Sequence, residues 1–292
     1  MISLIYGSGF GLYGYLPAIY KFSTKIYLNK KYELFFNSRN ELAKFESRII
    51  WYTNINKIIK KIDYLIIAKR PQDQSRVINS FLNKRNKIKH FFLEKPIACT
   101  PKKSSNLLKK IYLKKINHSV GFLFEYTSWF KLIKNKIKNN KNNNILIQWN
   151  IKKNDTKNSW KYNHNIGGGL IRYYGVHFIK LFSDLNFTII KKNIINKNYW
   201  VLDIEDKKKN IIKLLIRYSK ISKFSYKINN EGLNKLNTPF FNKIDYKLID
   251  PRCFFLEKYI RKNLSNYKND QSNMKKFFDL WHGIESKIKK IN

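Results

Sequence analysis

The sequence is poor in residue types that characterise whole classes of protein. Among its 292 residues there are two cysteines, Cys99 and Cys253, and five histidines. Two cysteines are too few for a disulfide framework or a cysteine-rich zinc module, so we expect neither, and no metal site. No apolar run is long enough to cross a membrane, and the N-terminus lacks the basic residues that begin a secretory signal. We therefore expect a cytoplasmic protein without membrane contact.

Acidic residues are also scarce. The chain has 19 acidic and 59 basic side chains, and its formal net charge is +40. Only nine of the basic residues are Arg, and there are four Ala, a composition that an A/T-rich genome produces without selection for a polyanionic partner. Specific nucleic-acid binders favour Arg clustered on one face, whereas here Lys is spread along the chain. We expect no specific nucleic-acid partner, and a basic nucleic-acid-associated protein stays as an alternative hypothesis.

The N-terminal part alternates between apolar runs and helical patterns. Strands are predicted at residues 2–6, 32–36, 62–68 and 90–93, and helices near 40–46 and 72–83. This alternation predicts right-handed βαβ units and an α/β fold with a doubly wound parallel sheet. We assign residues 1–118 to such a Rossmann domain, which binds dinucleotides.

The pattern changes after residue 118. Strands are predicted at 118–124, 144–151, 187–195, 199–206, 211–219 and 223–229, several with alternating apolar and polar residues. Such alternation is typical of an antiparallel sheet with one covered face. With helices at 170–182 and within 254–291, and a solvated loop at 134–144, residues 119–292 are predicted to form an α+β domain. We expect its open, mostly antiparallel sheet to bind substrate and to carry a homo-oligomer contact.

A glycine-rich turn follows the first strand, in the sequence GSGFGLYG at residues 7–14. Glycines permit close backbone approach, and the next helix offers unpaired N–H groups to a pyrophosphate. Gly9, Gly11 and Gly14 match G-x-G-x-x-G literally, but we favour Gly7 and Gly9 with Leu12 in the third position, because the first glycine normally abuts the strand. An ordinary strand-to-helix turn is the alternative. The predicted cofactor-binding residues here are Gly7, Ser8, Gly9, Phe10, Gly11 and Leu12.

The end of the second predicted strand bears on the choice of dinucleotide. NAD usually needs a carboxylate there to bind the ribose hydroxyl, and this chain has Asn37, Ser38 and Arg39 instead. Ser38 and Arg39 can hydrogen-bond and neutralise a 2′-phosphate, so we favour NADP over NAD. The alternative is that Arg39 is a solvated residue at the start of a helix.

Further motifs follow in order: LPAI, DYLIIAKRP, FFLEKPIACT, VGFLFEY and W-x(6)-GGG-LIRYYGVH. Together they resemble the glucose–fructose oxidoreductase / inositol dehydrogenase (Gfo/Idh/MocA) family of nicotinamide-dependent sugar oxidoreductases. The resemblance extends from residue 1 to about 183. It implies hydride transfer between NAD or NADP and a sugar or nucleotide sugar.

The resemblance also implies residue roles. Lys95 corresponds to the family's active-site lysine beside the nicotinamide, between Glu94 and Pro96, and a cis bond often precedes this proline in the family. His177 corresponds to the catalytic histidine, which we expect to take the hydroxyl proton. Residues four apart share a helix face, so Tyr173 is expected to face the same cleft.

The chain departs from the family pattern at three positions. Tyr173 stands where the family usually has Asp, and Gln74 and Tyr15 stand where His is often found. A phenol can donate a hydrogen bond or relay a proton, so Tyr173 is a catalytic candidate. The same substitution keeps open a second hypothesis, a family member that binds dinucleotide or sugar without turnover.

Further polar and aromatic residues near these motifs are candidates for substrate binding. Aromatic rings cover the apolar faces of sugars, so Trp160 and His164 can line a pocket, with loop packing and solvent exposure as the alternatives. Arg172 can bind a nucleotide-sugar phosphate or be a solvated helix charge. Glu125 and Tyr126 are expected at the end of the first strand of the second domain.

Overall fold

The structure is a computed structural model that describes residues 1–84, 87–153, 159–241, 250–265, 267 and 271–291. These residues form two compact units. The first contains Met1–Ala98, Lys103–Leu123 and the helix Cys253–Ser265; the second contains Cys99–Lys102, the described residues of 124–241 and the helix Gln271–Ser286. A domain boundary at residue 118 stays a prediction.

The first unit is built on a six-stranded sheet in which every pairing is parallel. Its strands are β1 (Ile2–Tyr6), β2 (Lys25–Asn29), β3 (Ile49–Tyr52), β4 (Tyr64–Ile67), β5 (His90–Leu93) and β6 (Asn117–Val120). Their order across the sheet is β3-β2-β1-β4-β5-β6, which is the doubly wound Rossmann order. Nearly continuous apolar runs form the central strands because helices cover both faces of such a sheet. The predicted Rossmann fold is confirmed.

The α-helices of the described chain differ widely in length. They are α1 (Leu16–Tyr20), α2 (Glu33–Asn37), α3 (Asn40–Ala43), α4 (Pro71–Leu82), α5 (Pro101–Leu113), α6 (Ser128–Asn139), α7 (Val176–Asp184), α8 (Cys253–Ser265) and α9 (Gln271–Ser286). Wide π-helical turns at Gly11–Tyr15 and Leu170–Gly175 lead into α1 and α7. Among the described residues, no helix combines the length and apolar character needed to cross a bilayer.

Two strand predictions in the N-terminal part are wrong. Residues 32–36 do not form the second strand: α2 lies there, with Leu34 exposed, and β2 runs from Lys25 to Asn29. Packing decides this, because Ile26, Tyr27 and Leu28 are all buried between β1 and β3. Residues 118–124 do not begin the second sheet either, since Asn117–Val120 pairs in parallel with β5 as the last strand of the first sheet.

The second unit contains a seven-stranded mixed sheet that is mostly antiparallel, as predicted. Its strands are β7 (Asn144–Lys152), β8 (Ile189–Ile195), β9 (Tyr199–Glu205), β10 (Ile211–Ser219), β11 (Lys223–Ile228), β12 (Asn234–Leu236) and β13 (Lys289–Lys290), in the order β12-β11-β7-β10-β9-β8-β13. Only the β7–β10 and β8–β13 pairings are parallel.

One face of this sheet is covered by aromatic-rich helices. Alternate residues of β7, Ile145 and Ile147, are fully buried, and so are Phe178 and Phe182 of α7. The loop predicted at 134–144 is wrong over its first half, because α6 extends to Asn139. Apolar residues at helical spacing along α6 override the polar composition of this segment.

Candidate active site

The glycine-rich turn lies where β1 and β4 end side by side. A Cβ atom on Gly7 would come within 2.2 Å of the Ala68 carbonyl oxygen, so only glycine fits this close approach. The helical stretch begins at Gly9, where an added Cβ would meet no atom within 4 Å, while Leu12 is fully buried. These positions fit the register with Gly7 first and Leu12 third. Open space beside a helix N-terminus suits the pyrophosphate of a dinucleotide.

The strand that bears on dinucleotide choice ends at a different place from the one predicted. β2 ends at Asn29, whose side-chain oxygen accepts a hydrogen bond from the Lys31 N–H at 3.1 Å, and Lys30 and Lys31 are exposed. Ser38 instead follows α2, where its hydroxyl donates to the Phe35 carbonyl oxygen at 2.9 Å, and Arg39 lies over the Phe35 ring. The argument that placed Ser38 and Arg39 at the strand end is therefore wrong.

The Glu94-Lys95-Pro96 segment begins where β5 ends, and Gln74 of α4 holds it. The Gln74 side-chain nitrogen donates to the carbonyl oxygens of Glu94 at 2.6 Å and Ile97 at 3.2 Å, and its oxygen accepts from the Glu94 N–H at 3.1 Å. Gln74 is fully buried, and the peptide between Lys95 and Pro96 is cis. Buried backbone groups need such partners once a strand has ended, so Gln74 fixes the backbone that carries Lys95.

A side-chain hydrogen bond joins this segment to the glycine-rich turn. The Tyr15 hydroxyl, at the end of the π-helical turn, donates to Glu94 Oε1 at 2.8 Å. Burial of the carboxyl group raises the pKa of Glu94, against the opposing charges of Lys95 and Arg252. Burial likewise raises the pKa of Tyr15 well above its ordinary value, so the phenol stays a donor at neutral pH. The turn and the Lys95 segment are therefore neighbours within the first unit.

In the second unit, the triple glycine begins the helical stretch that carries Tyr173 and His177. A Cβ on Gly168 would lie 2.2 Å from the Trp160 carbonyl oxygen, so the turn at Trp160–Tyr162 packs directly on this backbone. This contact accounts for the spacing of W-x(6)-GGG. It also brings the Trp160 ring to the Tyr173 ring, with centroids 5.1 Å apart and planes at 81°.

His177 is 5% exposed and lies among aromatic rings. Its imidazole stacks on Phe124, with centroids 4.3 Å apart and planes at 19°, and Phe240 lies edge-on at 6.4 Å. The stacking contact with Phe124 and the edge contact with Phe240 restrict rotation of the ring. Packing thus contributes to the ring orientation that a carboxylate at position 173 usually supports in the family.

Arg172 is committed to partners inside the second unit. Its guanidinium makes a bidentate pair with Glu285, both bonds at 2.7 Å, and donates to the His164 carbonyl oxygen at 2.9 Å. Trp281 donates to the same carboxylate at 3.0 Å, and the Arg172 side chain is only 10% exposed. The alternative of a solvated helix charge is wrong, and the internal pair leaves little reason to assign Arg172 to a substrate phosphate.

The remaining substrate candidates lie at exposed or half-buried positions. His164 is exposed on the turn that Arg172 holds, and partial burial of its ring, followed by the Arg172 charge, lowers its pKa. Glu125 and Tyr126 were predicted to end a strand, and this prediction is wrong. They lie in a 3₁₀ turn at Leu123–Tyr126. Both are half-buried and follow Phe124, the stacking partner of His177.

Comparison with known proteins agrees with this geometry. Residues 4–122 match the Gfo/Idh/MocA family, described as an oxidoreductase family with an NAD-binding Rossmann fold. This match covers the N-terminal region and less than half of the chain. The resemblance drawn from the motifs is thereby confirmed. A search of curated proteins finds no match to the chain.

Solved structures with the same fold cover almost the whole chain. The WlbA (WbpB) dehydrogenase of Thermus thermophilus, in complex with NAD and UDP-GlcNAcA, has a TM-score of 0.73 at 12% identity and covers 100% of this chain and 97% of its own. KijD10, a 3-ketoreductase of Actinomadura kijaniata in complex with NADP and TDP-benzene, has a TM-score of 0.70 at 10% identity, with 99% and 98% covered. A super-repressor mutant of Gal80p from Saccharomyces cerevisiae has a TM-score of 0.67 at 12% identity, with 98% and 95% covered. At these identities the likeness concerns the fold alone.

Sequence reasoning missed two supporting residues of this candidate site. Phe124 carries no polar signal, and its part in packing His177 depends on a contact across 53 residues. Gln74 was noted only as a departure from His, although its position at the start of α4, beside the ends of β4 and β5, makes it a partner for the Lys95 segment. An amide residue near the start of a helix that follows a predicted parallel strand is the sequence signal that could have identified Gln74.

The raised pKa of Glu94 predicts a specific pH dependence of stability. In the unfolded chain Glu94 ionises near its ordinary pKa of 4.5, whereas in the folded protein it retains the proton to higher pH. Above pH 4.5 the contribution of Glu94 to the free energy of unfolding therefore falls as the pH rises. Glu94→Gln cannot ionise, so we expect its free energy of unfolding to rise relative to the wild type as the pH increases above 4.5. Urea unfolding across this range measures the difference, and each unit of pKa shift corresponds to about 1.4 kcal/mol.

Glu257→Gln is the matched control because the sign reverses. Hydrogen bonds from Lys21 and Arg261 lower the pKa of Glu257, so its stabilising effect is present above pH 4.5 and lost as pH falls. The Glu257→Gln variant should be slightly less stable than the wild type at neutral pH. Parallel curves for wild type and Glu94→Gln would contradict a raised pKa of Glu94.

Proposed function

We propose that this protein is an NAD(P)-dependent oxidoreductase that transfers hydride between a nicotinamide dinucleotide and a sugar or nucleotide sugar. The observation that carries the proposal is the 2.8 Å hydrogen bond between Tyr15 and Glu94, since it joins the glycine-rich turn to the segment that carries Lys95. A dinucleotide needs one site for its pyrophosphate and one for its nicotinamide. The glycine-rich turn suits the first, and the lysine expected beside the nicotinamide lies close to this turn. The family match of residues 4–122 supports the same proposal.

The first unit would hold the dinucleotide. The backbone of residues 7–12 would bind the pyrophosphate, and the segment of Glu94, Lys95 and Pro96 would adjoin the nicotinamide. When bound, the dinucleotide supplies a carbon that accepts or donates hydride. Lys95 contributes a positive charge, held in place because Gln74 fixes the backbone on both sides of it.

The second unit would supply the proton chemistry and part of the sugar site. His177 would accept the hydroxyl proton of the sugar while hydride leaves the carbon that bears this hydroxyl, and its stacking on Phe124 would limit rotation of the ring. Trp160 and Tyr173, whose rings are in contact, offer aromatic faces to a sugar ring. His164, Glu125 and Tyr126 complete the proposed substrate contacts. Complexes of the WlbA dehydrogenase with UDP-GlcNAcA and of KijD10 with TDP-benzene favour a nucleotide sugar.

A family member without turnover is the second candidate. Tyr173 replaces the usual Asp, and the Gal80p structure shows that the fold also occurs in a protein described by its repressor properties. Association of copies through the second sheet is a further proposal, since Leu146, Val201 and Leu215 point away from the helices and are half-buried. Cytoplasmic location stays a prediction.

The first test concerns dinucleotide choice. β2 ends without a carboxylate and is followed by Lys30 and Lys31, so we expect NADP to bind at least as tightly as NAD. Replacing both lysines by Ala should weaken NADP about tenfold and NAD much less, as measured by fluorescence titration of the reduced dinucleotides. Arg39→Ala is the comparison variant. A selective loss of NADP affinity in Arg39→Ala, with the lysine variant unchanged, would mean that Ser38 and Arg39 bind the 2′-phosphate instead.

The second test concerns the proposed base. General-base help is worth about 10²–10⁴-fold, so His177→Ala should lower single-turnover hydride transfer by roughly that factor and leave dinucleotide affinity nearly intact. Lys95→Ala should lower both turnover and affinity, because its charge adjoins the nicotinamide in the proposal. His282→Ala, at an exposed position of α9, is the control and should match the wild type. Unchanged turnover in His177→Ala and Lys95→Ala, with every sugar or nucleotide sugar that the wild type oxidises, means that the site is misassigned.

The third test separates the enzyme from the inactive family member. Tyr173→Phe keeps the ring contact with Trp160 and removes only the hydroxyl, so we expect turnover to fall at least about tenfold if the phenol has taken the role of the carboxylate. Dinucleotide affinity should not change. If Tyr173→Asp instead raises the turnover above that of the wild type, the natural protein is an attenuated member of the family.

A further inference from the structure

A cation from the C-terminal part of the first unit lies on the glycine-rich turn. The Arg252 guanidinium carbon lies 4.2 Å from the centroid of the Phe10 ring, and Phe10 is the residue between the second and third glycines of the turn. Both residues belong to the same compact unit. A guanidinium stacked on an aromatic ring keeps its hydrogen-bonding plane in a fixed orientation.

The Phe10 ring also packs against the backbone at Gly14. A Cβ on Gly14 would come within 2.4 Å of this ring, so the ring rests on the backbone of the helix that follows the turn. Gly14, which matched the literal dinucleotide pattern, is thus needed to seat Phe10. Phe10 therefore contacts both the helix backbone and Arg252.

Arg252 is also held by its own segment. Its Nε donates to Asp250 Oδ1 at 2.9 Å, its Nη2 pairs with Asp250 Oδ2, and its carbonyl oxygen accepts from the Leu256 N–H at 2.9 Å in the first turn of α8. The side chain nevertheless remains 34% exposed. Arg252 is therefore an oriented cation that solvent, or a ligand, can reach.

The charge of Arg252 also acts on the segment that carries Lys95. It opposes the rise in the pKa of both Glu94 and Tyr15, which are raised mainly by burial. Arg252 therefore lies close to the Lys95 segment as well as to the turn. A bound dinucleotide would carry its two negative pyrophosphate charges at the glycine-rich turn, on which Arg252 lies.

We propose that Arg252 binds the pyrophosphate of the dinucleotide, and that Phe10 positions it. This inference rests on the proposed function. The backbone N–H groups of the turn offer partial charges, whereas the Arg252 guanidinium, although paired with Asp250, adds planar charge-assisted donors suited to phosphate oxygens. This role would explain why Phe10, a large aromatic residue, occurs among the glycines of the turn.

The experiment compares Arg252→Gln with Arg261→Gln in the full-length protein. Arg261 is a matched control because it lies on α8, pairs with Glu257 and stacks over Phe22 at 5.3 Å. Calorimetry gives the Kd of NAD, NADP and ADP-ribose, which carry the pyrophosphate, and of adenosine 2′-monophosphate, which does not. We expect Arg252→Gln to weaken the first three about tenfold, or about 1.4 kcal/mol, with adenosine 2′-monophosphate unchanged and Arg261→Gln like the wild type.

Further readouts separate binding from folding. Wild-type affinity should fall more steeply between 50 and 500 mM salt than that of Arg252→Gln, because a charge contact is screened. Should Arg252→Gln fail to fold, Phe10→Leu removes the support for the guanidinium and should weaken the same three ligands selectively. Unchanged Kd values in both variants, or an equal loss for adenosine 2′-monophosphate, would overturn the inference. A wild type that binds no dinucleotide would overturn the proposed function and the inference together.

Discussion

The structure of the first unit depends on how polar groups are satisfied where β1, β4 and β5 stop pairing. Beyond the last ladder bond, the backbone of the Lys95 segment leaves the sheet and needs new partners in a buried region. Gln74 bonds to four backbone groups of this segment, and Tyr15 supplies the partner for the Glu94 carboxyl group. Because these side chains come from the helical stretches after β1 and β4, the same bonds join the glycine-rich turn to the segment of the family lysine.

In the second unit, aromatic packing rather than polar contacts holds the candidate site residues in position. His177 lies against Phe124 and Phe240, and Tyr173 lies against Trp160. Aromatic contacts restrict ring orientation at little electrostatic cost, but they do not stabilise an imidazolium as a carboxylate does. In the proposed function, Tyr in place of the family's usual Asp at position 173 changes the chemistry available to the histidine, and turnover would depend on what the phenol contributes.

Scarcity of carboxylates shapes both units. With 19 acidic against 59 basic side chains, most cations have no carboxylate to pair with. The acids near the candidate site are placed where they organise structure: Glu285 holds Arg172 and the turn of His164, and Asp250 orients Arg252. An excess of unpaired lysines favours anionic ligands in general through the summed field of the protein. Specific recognition then requires oriented groups such as Arg252.

The sequence alone was sufficient for the fold class, the family, and the local identity of the glycine-rich turn, the Lys95 segment and the triple-glycine helix. Each of these depends on short-range patterns: strand-turn-helix periodicity, glycines at backbone contacts, and motifs in a characteristic order. Only the tertiary structure decided that β2 precedes residue 32, that Asn117–Val120 belongs to the first sheet, and that Arg172 serves an internal ion pair. It alone brought Gln74 to the Lys95 segment, Phe124 to His177 and Arg252 to Phe10, because such contacts join residues distant in the chain and arise from burial and packing that no local pattern encodes.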